Sequence, residues 1–133
     1  MKIKGLVAAV ATPMKRNGAV NLSVIDDYAH FLIGRGIDGV FVCGTTGEGV
    51  LLDERERKAV LERWMPYADR IKILAHVGAA SYRTAGALAA HAESVGVCAI
   101  SAMGPCFLQP SRAEELVAFN KEVAVCAPHT PYY

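Results

Sequence analysis

Apolar residues in this chain follow two alternating rhythms. Short runs of strand type occupy residues 5–11, 39–43, 71–78 and 97–102, the pattern of strands buried on both faces of a parallel sheet. Between them apolar positions recur every three or four residues. Ile25, Tyr28, Phe31 and Leu32 form one such set, Ala59, Val60, Trp64 and Met65 a second, and Leu116, Val117, Phe119 and Val123 a last, each predicting the inner face of an amphipathic helix. An alanine-rich segment opened by Ser81 and closed by Gly96 predicts another helix, able to lie close against a sheet. On the second helix residues 53–58, 62 and 63 are expected to stay in water. Punctuation agrees with this division: Thr12-Pro13 halts the first strand, and Asp53 with Glu56 and Ser111 with Glu114 are spaced as capping boxes. After the loop 128–131, Tyr132-Tyr133 reads as the opening of a fifth strand.

Strict alternation of strand and helix predicts an α/β fold with a parallel sheet. Four units take about 126 residues, so eight would take about 250, the usual size of a (β/α)₈ TIM barrel. Residues 1–133 therefore read as the N-terminal portion of a single barrel domain: four βα units and the start of a fifth strand. A small open sheet of flavodoxin type is the rival, but it would need a completed fifth strand and a final helix to cover its faces. A half-barrel would expose two strand edges and an apolar inner face, so the isolated 133 residues are expected to pair, aggregate or stay loosely packed.

Fourteen basic side chains against thirteen acidic ones leave a net charge of +1, which indicates neither a nucleic-acid surface nor a polyanion partner. A small neutral or acidic metabolite fits better. Cys43, Cys98, Cys106 and Cys126 stand singly, without the close pairs of metal or redox motifs, and read as buried free thiols in a reducing compartment. Residues 1–11 have the outline of a short signal peptide, but the apolar run sits at the lower limit for one. With no stretch near the roughly 20 apolar residues of a membrane span, the expectation is a cytoplasmic protein.

The candidate chemistry lies after the second strand. Gly44, Gly47 and Gly49 let the chain turn sharply and present amide N–H groups together with the Thr45 and Thr46 hydroxyls, a donor cluster suited to an anion at a strand's carboxyl end. The residues after Gly47 are Glu48, Gly49, Val50 and Leu51, so the lysine of a P-loop is absent, and the glycine spacing does not fit a dinucleotide fingerprint. A tight connection without a ligand is the plain alternative.

Thr12-Pro13, Gly44-Thr45-Thr46-Gly47-Glu48, the Glu54-Arg55-Glu56-Arg57 segment and His76-Val77-Gly78 together resemble the N-acetylneuraminate lyase and dihydrodipicolinate synthase superfamily of pyruvate-dependent class I aldolases. With Phe107-Leu108-Gln109-Pro110, they resemble its sialic acid lyase branch. The resemblance implies that Thr45 and Thr46, framed by Gly44 and Gly47, hold the carboxylate of a 2-keto acid. It also implies a lysine that forms a Schiff base, a tyrosine that moves protons beside it, no metal or organic cofactor, and a homotetramer. The family's lysine and tyrosine fall beyond Tyr133, so no catalytic residue is assigned within these residues: Lys72 is at the amino end of its strand, Lys58 and Lys121 sit on helices, and Tyr132 and Tyr133 only open a strand. Phe107, where synthases carry a tyrosine, favours cleavage of N-acetylneuraminate over dihydrodipicolinate synthesis. A non-catalytic binding or assembly module is the reading from another class. His76 reads as a packing histidine, His30, His91 and His129 as surface or loop residues, and Trp64 and Tyr67 as core or contact residues. Glu48 is expected to order its turn by accepting backbone N–H bonds. Treating the 133 residues with pyruvate and borohydride is expected to leave their mass unchanged, and a stable adduct on any lysine would count against the assignment.

Overall fold

The computed structural model describes residues 3–105 and 109–133. Each apolar run pairs over its central residues, giving β1 (Val7–Ala9), β2 (Gly39–Val42), β3 (Lys72–His76) and β4 (Ala99–Ser101). These alternate with α1 (Ile25–Gly34), α2 (Glu54–Trp64), α3 (Tyr82–Val95) and α4 (Ala113–Ala124). All pairings are parallel and the order is β1-β2-β3-β4. Tyr132 opens the next position with a parallel bridge to Ile100, where the Tyr133 amide donates to the Ile100 carbonyl at 3.0 Å. A flavodoxin-type sheet would place the first strand between the second and third. Here β1 pairs with β2, and the sequential order is that of the N-terminal half of a TIM barrel.

Strand register separates the two faces of the sheet. Val40, Val42, Ile73, Ala75, Val77 and Ile100 are all buried and meet Ile25, Ala29, Val60, Trp64, Ala85 and Ala89 from the helices. Phe41 and Leu74 lie opposite each other on the other face, with Ala9 in register beside Phe41. There Ala9 is exposed while Phe41 and Leu74 are half-buried. The helix side is a packed core, and the side that lines the inside of a barrel is open to water.

Three local expectations change. Phe31 is 55% exposed, with the Arg35 guanidinium 5.0 Å from its ring centroid. The inward line of α1 runs through Ile25, Ala29 and Leu32, and at 3.6 residues per turn Phe31 falls more than a quarter-turn away from it. On α4 only Val123 is buried, whereas Leu116 and Val117 are exposed and Phe119 is half-buried. The capping box of α2 forms as expected, with the Glu56 amide donating to Asp53 Oδ1 at 2.7 Å and the Asp53 amide to Glu56 Oε2 at 2.9 Å. At α4 it does not: the Ser111 amide and hydroxyl both donate to Glu115 Oε2 and the N-cap is Arg112. The further expectation of buried thiols holds for Cys43 but not for Cys98, which is half-buried, or Cys126, which lies past the end of α4 and is exposed; all three are free, and Cys106 lies outside the described residues. Among the described residues no helix is long and apolar enough to cross a membrane.

Trp64 is 1% exposed and packs edge-on against Tyr28 at 5.7 Å. Trp64→Ala is expected to cost about 3–5 kcal/mol in urea denaturation, whereas Phe31→Ala should stay within about 0.5 kcal/mol. Equal costs would put Phe31 back on the inner face.

Candidate functional site

At the end of β2 the chain leaves the sheet through a backbone conformation that side chains rarely adopt. Cys43 has φ +57° and Glu48 φ +53°, both in the left-handed region that costs non-glycine residues energy. The path between them closes on itself: the Glu48 amide donates to the Thr45 carbonyl at 3.0 Å and the Gly49 amide to the Gly44 carbonyl at 3.2 Å. A Cβ on Gly49 would lie 1.9 Å from the Cys43 carbonyl oxygen, so no side chain fits there. From the segment that follows β1, Thr12 Oγ1 donates to the Gly47 carbonyl at 2.7 Å. Gly44 and Gly47 are buried beneath, and Thr45 and Thr46 stand exposed on the crest. Among the described residues neither threonine hydroxyl has a hydrogen-bond partner, and the amides of Thr45, Thr46 and Gly47 donate to no carbonyl. Such a group of unused donors can receive the oxygens of a carboxylate. Glu48 orders the turn through its backbone; its carboxylate accepts no hydrogen bond among the described residues.

Beneath the crest lies Arg57, which was expected to stay in water. It is 5% exposed, its Nη1 donating to the Gly78 carbonyl at 2.8 Å and its Nη2 to the His76 carbonyl at 2.7 Å. Burial pulls its pKa below the usual arginine value, against the opposing effect of Cys43. The Cys43 thiol is pushed up to about 11 by burial, with Arg57 pulling the other way, so it is a protonated thiol and not a nucleophile at neutral pH. Arg57 shares one helical face with Leu61 and Trp64, at spacings of four and seven residues. That periodicity was present in the sequence, but counting every charge as solvent-facing concealed it.

His76 packs as expected. It is 8% exposed, its Nε2 accepts from the Met103 amide at 3.2 Å, and its ring meets Phe41 edge-on at 5.9 Å. Burial, followed by the nearby Arg57 charge, lowers its pKa, which keeps the ring neutral. The accepting Nε2 assigns the proton to Nδ1, which has no partner among the described residues.

The remaining candidates lie away from the turn. Lys58 pairs with Glu54 at 2.6 Å, Lys72 Nζ donates to the Lys4 carbonyl at the amino end of β3, and Lys121 is exposed on α4. The Tyr132 hydroxyl donates to Asn120 on α4, on the helix side of the sheet. His30 meets Tyr67 edge-on, His91 pairs with Glu62, and the His129 amide donates to Glu93. Trp64 is core, and the Tyr67 hydroxyl donates to Asp26. Phe107 lies outside the described residues. Among the described residues no group of His, Cys, Asp or Glu side chains could hold a metal ion.

With this geometry established, comparison with known proteins gives a consistent result. Residues 2–132 match the model of the dihydrodipicolinate synthetase family. The N-acetylneuraminate lyase of Homo sapiens is 43% identical over 99% of this chain and 42% of its own length. The solved N-acetylneuraminate lyase of Proteus mirabilis superposes with a TM-score of 0.96 at 42% identity, covering 100% of this chain and 45% of that one. A prophage protein of the dihydrodipicolinic acid synthase family from E. coli K12, solved in complex with pyruvate, superposes with a TM-score of 0.89 at 26% identity over 96% of this chain and 43% of that one. The chain thus spans less than half the length of these relatives. The match across nearly every residue and the shared sequential sheet show that this chain belongs to the dihydrodipicolinate synthetase family.

Proposed function

We propose that this chain carries the carboxylate-binding half of a class I aldolase that cleaves N-acetylneuraminate to pyruvate and N-acetylmannosamine, and that its 133 residues form the N-terminal portion of one barrel domain. The observation that carries the reading is the pair of unpartnered hydroxyls, Thr45 and Thr46, at the carboxyl end of β2, the barrel face where active sites are built. Lyase relatives above 40% identity favour sialic acid over a dihydrodipicolinate precursor, and the pyruvate held by a family member supports a 2-keto acid as ligand.

In this reading the Thr45 and Thr46 hydroxyls, with the neighbouring amides of Gly44 and Gly47, grip the substrate carboxylate. That fixes the adjacent keto carbon for attack by a lysine amine supplied by the barrel's later strands, the keto oxygen leaving as water when the imine forms. The protonated imine then draws the electrons of the breaking carbon–carbon bond, without a metal or organic cofactor. Orientation of this kind can contribute ~7–11 kcal/mol toward lowering a barrier. The unpaired thiols fit a reducing cytoplasm. Closure of the open inner face by the remaining strands, within a homotetramer, completes the enzyme.

Thr46→Val keeps the side chain's volume and removes one hydrogen bond to a charged group, worth ~1.5–3 kcal/mol. In the complete protein, calorimetric titration is expected to show pyruvate binding weakened roughly ten- to hundredfold. A loss smaller than about threefold would discredit the assignment.

A further inference from the structure

We propose that Arg57 is the positioning residue of the Thr45/Thr46 cradle, holding the turn in the shape that receives a carboxylate; the proposal rests on the aldolase reading above. Arg57 is a buried cation, and among the described residues it has no carboxylate partner. Its neighbours on α2 are Val60, Leu61 and Trp64, so an apolar side chain would fill the same space without burying a charge. What an apolar residue cannot do is bond two carbonyls. The guanidinium fork takes those of His76 and Gly78 at the end of β3, and Cys43 at the end of β2 lines the same small cavity as Arg57 and His76.

The cradle runs between the end of β2 and the start of α2. Cys43 precedes Gly44 directly, and its left-handed backbone sets the direction in which the turn leaves the sheet. At the other end Asp53 caps α2, the helix whose first turn carries the Arg57 side chain back to the end of β3. The Arg57 side chain therefore ties the helix that follows the turn to the neighbouring strand end, in the cavity that Cys43 lines at the turn's entry. A lysine could keep the charge but could not reproduce the planar two-pronged contact.

The test uses the complete protein with Arg57→Lys and Arg57→Met, pyruvate as the titrant, and cleavage kinetics in parallel. Both variants are expected to bind pyruvate about tenfold more weakly or worse, with KM raised and kcat lowered about tenfold or more as the keto carbon loses its orientation. Wild-type affinity in Arg57→Met, whatever happens to its melting temperature, would show a packing role alone and overturn the proposal. Full recovery in Arg57→Lys would likewise overturn the role of the fork. If neither variant folds, ¹⁵N-arginine spectra of the wild-type protein decide. Arg57 N–H signals that shift on pyruvate addition support the proposal, and signals that stay fixed while pyruvate binds overturn it. A wild-type protein that binds no pyruvate removes the aldolase reading and this inference with it.

Discussion

The close return of the chain at Gly49 onto the Cys43 carbonyl is the constraint on which the rest of this structure depends. Because no Cβ fits between them, the turn can fold back within seven residues, and α2 starts where it can lie against the outside of β2 and β3. The strained backbone at Cys43 and Glu48 is tolerated because neighbouring contacts determine the path from several sides: Thr12 from the segment that follows β1, the internal amide bonds of the turn, and the capping box at Asp53. A loosened turn would lose the placement of its threonines before it lost the sheet.

The burial pattern separates the packed helix side of the sheet from an exposed turn at the carboxyl end of β2. On the helix side, side chains from four strands interlock with alanine-rich and β-branched faces of α1 to α3, and little space is left. At the carboxyl ends, two threonines are left with unused donors, above a neutral histidine and a protonated thiol. Under the crest the two terminal nitrogens of Arg57 are taken up by backbone carbonyls. Such an arrangement keeps the donors on the crest free of competing protein acceptors.

Much of the fold was legible because alternation is a strong signal. Parallel strands covered by helices need apolar runs of a few residues, and the helices between them need a 3.6-residue stripe. Both periods are clear here, as is the Asp53/Glu56 cap, a purely local hydrogen-bond exchange. The failures share a cause. Phe31, Leu116 and Val117 are apolar residues on helices, and periodicity alone could not say where each inward stripe is centred. That centre depends on how the helix rolls against the sheet. Arg57 failed in the opposite sense, a charged residue drawn inside because strand ends offered it carbonyls.

The amino-acid sequence by itself determined the order of elements, the position of the threonine turn and the family pattern, since each rests on residues adjacent or nearly adjacent along the chain. Only the tertiary structure decided the sheet order that separates barrel from open sheet, the unpartnered state of the Thr45 and Thr46 hydroxyls, and the contact of Arg57 with the end of β3. Those depend on groups brought together from β1, β2, α2 and β3, up to 35 residues apart in the case of Thr12 and Gly47. Their meeting is fixed by packing of the sheet and helices, a three-dimensional outcome that no local spacing encodes.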